Sequence, residues 1–284
     1  MQVSASPDSN TVCIAGWGIV IQSDFEVASG VILRPNPPRH DLDTIATGCE
    51  HFGEYATVLA MQDRATFFLE VTETGDVSSR AAKAWNCLWL FHLFALGCRC
   101  SCNPLYTWAG NAKVRFSVCT PHVVTLAQDA SKPATTEQLE WARSNLDKFD
   151  SLTKDETFVS SLLSFVNSHH LFGFESRIMQ IWSGIECLFK VNNEIARTIA
   201  LYSALLLEAS SPEARFECYR RVKKEYGVRS MVVHGTAGKK TSLEDAYARA
   251  SGILVALLAR CVELGRVPSA EELDRAAVMG FIAS

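Results

Sequence analysis

"AQDASKPATT", residues 127–136, is where the chain changes its periodicity. The stretch is small, polar and proline-bearing, which is the composition of a linker. Before it, β-branched residues alternate with polar ones and glycines punctuate the runs. After it, apolar residues recur at helical spacing almost without a break. The expected fold class is therefore α+β: a small β-rich domain over residues 1–130, a sheet packed on one helix, followed by an all-helical bundle over 135–284.

On the N-terminal side, "TVCIAGWGIVIQ" (11–22) and "FEVASGVIL" (25–33) read as strands. "RPNPPRHD" reads as a loop, and "YATVLAM" (55–61) with "ATFFLEVTE" (65–73) as a hairpin around "QDR". "SSRAAKAWNCLWLFHLFAL" predicts a helix opened by a serine cap, and "AKVRFSVC" (112–119) a further strand. On the C-terminal side helices are expected over 135–149, 155–170, 174–190, 193–209, 212–234, 243–264 and 270–280. Pro212 behind Ser211 suits a first helical turn. Thr241 or Ser242 caps the next helix, and Ser269 with Glu272 forms a capping box. No repeat or low-complexity tract interrupts this order.

Composition excludes several classes. With 48% hydrophobic and 20% charged residues the chain has the profile of a soluble globular protein. "MQVSASPDSN" resembles no secretory signal. The longest apolar run, residues 84–98, falls short of the roughly 20 residues that a membrane span needs. A cytoplasmic protein without a membrane partner is expected. Its ten cysteines are then reduced thiols. Cys98, Cys100 and Cys102 tempt a zinc assignment, with His92 or Cys119 as further ligands, but no second Cys-x-x-Cys pairs with them. No metal or cofactor is expected, and these thiols read as small buried hydrophobes.

Charge is unevenly spread. Residues 215–240 hold eight cations against two carboxylates, a local +6 within a chain whose net charge is −4, which leaves −10 elsewhere. Such a stretch can bind a polyanion locally while the rest repels it. Arg220, Arg221, Lys223, Lys224, Lys239 and Lys240 are the candidate RNA-binding cations. The plainer reading is a solvated helix face.

Three stretches of the bundle carry the sharper signal. "SRIMQIWSGIECLFK" (176–190) sets Trp182, Glu186, Leu188 and Phe189 as W-x-x-x-E-x-L-F. "NEIARTIALYSALLL" (193–207) follows as an apolar helix, and "SPEARFECYRRVKKEYGVRSMVVHG" (211–235) ends in Arg-x-x-x-x-His-Gly. In this order they resemble the HEPN superfamily, most closely its Apea-like branch, over roughly residues 155–280. The resemblance implies a metal-independent endoribonuclease of bacterial defence or toxin type. Its site would be formed by two protomers of a helical homodimer, with Arg229 and His234 catalytic. It also implies roles for Ser230, beside the arginine, and for Glu186, at the acidic position of the earlier helix. His234 is followed by Gly235 and Thr236 rather than by x-Tyr, so regulation by tyrosine modification is not expected. A regulatory partner is unspecified, as is the role of the N-terminal half.

The chemistry is coherent. Cleavage through the ribose 2′-OH needs a base, a cation on the phosphorane and an acid for the leaving 5′-oxygen. Histidine serves as acid or base near neutrality, and arginine grips phosphate at two points. Five residues of α-helix, however, separate Arg229 from His234 by about 140° beyond a full turn. A two-fold dimer resolves this by bringing two copies of the motif together. The competing reading is a non-catalytic dimeric module that binds RNA or a protein. In it His234 is a helix cap, Arg229 a salt-bridge residue, and Glu186 a carboxylate satisfied by an arginine such as Arg177.

Overall fold

The computed structural model describes residues 3–119, 131–191, 193–208, 211–236 and 242–279. The chain divides into two compact units, Met1–Ser144 and Asn145–Ser284. The fold is α+β, with a sheet-bearing N-terminal unit and a helical C-terminal one.

The first unit is built on a six-stranded antiparallel sheet. Its strands are β1 (Thr11–Trp17), β3 (Phe25–Ala28), β4 (Val31–Pro35), β5 (Phe67–Thr72), β6 (Asn103–Ala109) and β7 (Arg115–Val118), in the order β3-β4-β5-β1-β6-β7. A short β2 (Ile19–Val20) pairs in parallel with β8 (Lys132–Pro133). Side chains alternate across the sheet. Ala15 and Trp17 of β1 join Tyr106, Trp108 and Phe116 on one face, against Ile45 of α1 (Leu42–Gly48) and Val58 and Met61 of α2 (Phe52–Gln62). Gly16 turns to the other face, where α3 (Val77–Cys98) lies; a methyl group there would sit 2.6 Å from the Phe91 ring. Phe67 and Phe91 pack at 5.5 Å between centroids on that side.

Several local expectations are corrected. The run 11–22 breaks at Gly18, whose φ of 119° suits glycine, and 25–33 folds as the β3–β4 hairpin over Gly30. "YATVLAM" is not a strand but the body of α2: Thr57, Val58 and Met61 are its buried residues, one stripe at helical spacing that outweighs their β propensity. β6 and α1 were not anticipated. α3 is capped by Asp76, which accepts from the Ser79 N–H, rather than by a serine. The helix expected over 135–149 is interrupted at Asn145, giving α4 (Thr136–Ser144) and α5 (Leu146–Leu152). The first of these belongs to the N-terminal unit, where Trp141 lies against Gly97 of α3 and Arg143 over the Phe25 ring. The unit boundary thus falls beyond the expected linker, of which residues 127–130 lie outside the described residues.

The second unit continues with α6 (Glu156–Ser168), α7 (Phe174–Phe189), α8 (Ile195–Leu207), α9 (Pro212–Val233), α10 (Leu243–Leu264) and α11 (Ala270–Met279). The caps fall where the sequence places them. Ser211 accepts from the Ala214 N–H with Pro212 at the first turn, and Ser242 accepts from Asp245. Ser269 and Glu272 close a reciprocal capping box. At the centre runs α7, packed against α6, α9 and α10. Gly184 permits that closeness: a Cβ there would meet Ser164 at 2.8 Å and Leu254 at 3.0 Å. Trp182, Ile185 and Leu188 of α7 are buried around it, and Glu186 points elsewhere, toward α9.

Candidate functional site

α9 is the basic helix, and its two sides differ. Cys218, Val222, Glu225 and Tyr226 are buried, and Arg229 follows on the same side, about 60° round from Tyr226. Arg220, Arg221, Lys223 and Lys224 are exposed. Some of their charge is already met locally: Arg220 pairs with Glu217 at 3.1 Å, and Lys223 sits by the Tyr219 hydroxyl. Lys239 and Lys240 lie outside the described residues.

Arg229 reaches α7. Its Nη2 lies 3.2 Å from Oε1 of Glu186, and the same oxygen accepts a hydrogen bond of 2.9 Å from the Tyr226 hydroxyl. The Arg229 guanidinium also stands over the Tyr226 ring, 5.4 Å from its centroid. That ring is in turn held edge-on by Trp182, at 5.1 Å and 83°. So W-x-x-x-E and the arginine of Arg-x-x-x-x-His meet through one tyrosine. Arginine has five N–H donors, and the buried Nε of Arg229 has no acceptor among the described residues.

His234 occupies the opposite situation. It is the C-cap of α9, its backbone N–H donating to Ser230 O, and its side chain is exposed. Gly235, at φ 64°, reverses the chain, and the Thr236 N–H returns to Met231 O, so a left-handed residue closes the helix. No side-chain partner of the imidazole occurs among the described residues. Ser230 is half-buried, and its carbonyl serves the cap. Glu186 and Arg229 are therefore brought together within one chain, whereas His234 faces solvent on another side of the helix.

Tyr226 is a participant in this cluster that the motif spacing alone does not single out. Its position three residues before Arg229 was the available signal, since i and i+3 share a face. Burial, then the hydrogen bond to Glu186 and its negative charge, push the phenol up to about 12. The raised value favours the neutral form in the folded chain. Its stabilising contribution is complete below the unfolded value of about 10 and is lost as pH rises through the folded one. Helical circular dichroism of the wild type should therefore fall more steeply across that alkaline window than that of Tyr226→Phe. Equal slopes would mean that the hydroxyl is not held by Glu186.

Other candidates are structural. Glu186 pairs with Arg229, not Arg177; the latter donates to Leu171 O and stacks over Phe174 and Tyr247. His169 and His170 lie in the turn that follows α6 and are buried there. The His169 ring packs on Phe165, and its Nδ1 lies 3.2 Å from the Tyr247 hydroxyl. Cys98, Cys100 and Cys102 are buried; Cys98 ends α3 and the other two follow in a loop. Burial pushes the Cys98 thiol up to about 12 and holds that of Cys102 well above its usual value, which disfavours the thiolate needed by a nucleophile or metal ligand. Among the described residues no three His, Cys, Asp or Glu side chains group as a metal site. No helix there is long and apolar enough to cross a membrane. No protein-family model, curated protein or solved structure matches this chain.

Proposed function

We propose that this chain is a metal-independent endoribonuclease of the HEPN type, cytoplasmic and acting in bacterial defence or as a toxin, with a composite site completed by a second copy. The observation that carries the reading is the split motif. Arg229 is pre-oriented by Glu186 and Tyr226 on one side of α9, while His234 is exposed at its end without a side-chain partner among the described residues. One protomer does not bring the cation and the imidazole together; an isologous pair, meeting at this end of α9, does so twice.

In that site His234 exchanges the proton. As base it takes the 2′-OH proton while the ribose oxygen attacks phosphorus. As acid it, or its counterpart, gives a proton to the departing 5′-oxygen. The products are a 2′,3′-cyclic phosphate and a 5′-OH end. Arg229 holds the non-bridging oxygens with the donors that Glu186 leaves free, and Glu186 fixes the fork. Ser230 orients the end of the helix, and the exposed cations of α9 attract the strand. DNA, lacking the 2′-OH, survives.

The test is cleavage of a labelled RNA by the full chain without added metal and in the presence of chelator, with the ends identified chemically. Arg229→Ala should lose about 10²–10³-fold in rate, the range for removing a stabiliser of transition-state charge. Unchanged cleavage by Arg229→Ala, or ends other than a cyclic phosphate, would rule the mechanism out. A second reading, a dimeric module that binds without cutting, is favoured by the same Arg229–Glu186 pair if its only task is to join α7 to α9. In that case Arg229→Ala lowers stability and no variant changes an RNA.

A further inference from the structure

The N-terminal half of α9 carries a feature that the cleavage chemistry leaves unused. Phe216 is 59% exposed, a large ring left in solvent on the basic helix. It stacks on Tyr219, with centroids 6.2 Å apart and planes only 17° from parallel. Lys223 Nζ sits 5.6 Å from the centroid of the Tyr219 ring. The two rings form one wall of an open cavity of about 380 Å³ between α8 and α9, whose lining includes Leu201, Ala204, Arg197 and Arg215. No carboxylate lines it among the described residues. Arg197 is anchored by Glu194 at 2.6 Å, and Arg215 donates its Nε to Glu208 O, so both guanidinium groups are positioned and keep donors to spare.

This combination has a specific chemistry. Parallel aromatic faces beside fixed cations suit a flat base joined to a phosphate, the pattern by which single strands are held. A duplex fits poorly: its bases are already stacked on one another, and an A-form helix offers mainly sugar and phosphate. Position strengthens the case. At 100° per residue Phe216, Tyr219, Lys223, Ser230 and His234 fall in one stripe of α9 about 60° wide, running some 27 Å from the stacked rings to the exposed imidazole. Beside the stripe Gly227 has nothing within 4 Å of where a side chain would begin, leaving room for a strand to lie close.

We propose that the Phe216–Tyr219 cavity is a base-stacking subsite for single-stranded RNA, its phosphates met by Arg197, Arg215 and Lys223, and that the strand continues along α9 toward His234. The continuation rests on the nuclease reading above; the stacking subsite does not.

The experiment is fluorescence anisotropy of the full chain with a labelled 2′-O-methyl oligoribonucleotide about 10 nucleotides long, within the span of single-strand sites, which binds without being cut. Phe216→Ala should weaken binding by about 10-fold, and Phe216→Trp should keep it. Phe216→Leu, which retains apolar bulk without a π face, should behave like alanine. A duplex of the same sequence should not compete well. Failure of the wild type to bind the single strand, equal affinity of wild type and Phe216→Ala, or full binding by Phe216→Leu overturns the proposal. So does a Phe216→Ala chain whose mass in solution falls from dimer to monomer, since the rings would then be a protein interface. Binding lost in Phe216→Ala without any cleavage by the wild type removes the nuclease reading and leaves the subsite standing. Cleavage whose KM ignores Phe216→Ala does the reverse.

Discussion

Replacing His234 by alanine is expected to slow RNA cleavage by about 10²–10⁴-fold, the usual worth of a general acid–base, while leaving the fold intact. The imidazole is exposed and has no side-chain partner among the described residues, and alanine keeps the backbone N–H that donates to Ser230. A stability change beyond about 0.5 kcal/mol is not expected at such a position. The geometry also foretells what mixing does. If Arg229 and His234 act across a two-fold axis, a dimer of one Arg229→Ala and one His234→Ala chain has one site with both residues intact and one with neither. Random exchange of subunits makes half the dimers mixed, so equal mixing of the two inactive proteins should restore about a quarter of wild-type activity. If the two residues act within one chain, mixing restores nothing. An active His234→Ala protein would end the catalytic assignment of that histidine outright.

The helices that follow Asn145 were legible because their signals are local. Ser211 before Pro212, Ser269 with Glu272 three residues on, and Gly265 in the left-handed region each act through their immediate neighbours. What was not legible depends on partners distant in sequence. "YATVLAM" has strand-like composition, and only the sheet face formed by β1, β6 and β7 decides that Val58 and Met61 lie on a helix. Asn145, which separates α4 from α5, is a residue favoured at helix ends but no outright breaker, so the helical periodicity ran through it. The same holds for the site. Arg229 and His234 were visible as a spacing, and their divergence as helical arithmetic. That Glu186 meets Arg229 rather than Arg177 is set by how α7 crosses α9. Tyr226 becomes part of the cluster only through that crossing, and Phe216 declares itself only through its exposure.

The crossing has its own expected result. Trp182 is 1% exposed, among the largest fully buried side chains, and its ring braces Tyr226 from the core side of α7. Trp182→Ala should cost about 3–5 kcal/mol, because the lost transfer energy is joined by the cavity left behind. Whole domains are stable by only about 5–15 kcal/mol, so the helical unit should unfold at much lower urea. Far-ultraviolet circular dichroism reads this, since most of the helix lies in that unit. Trp182→Phe, which keeps an aromatic edge for Tyr226, should recover most of the loss. The order of effects matters for the site as well. Removing the indole frees Tyr226, whose hydroxyl then no longer pins Glu186, and the Arg229 fork loses its orientation before the backbone melts. In Trp182→Phe, measured where that protein is fully folded, cleavage should stay within about 10-fold of wild type, because the edge contact and the Tyr226–Glu186 hydrogen bond survive. A Trp182→Ala protein that unfolds within about 1 kcal/mol of wild type would mean that α7 and α9 do not pack through this ring. The chain of contacts from indole to phenol to carboxylate to guanidinium would then have no foundation.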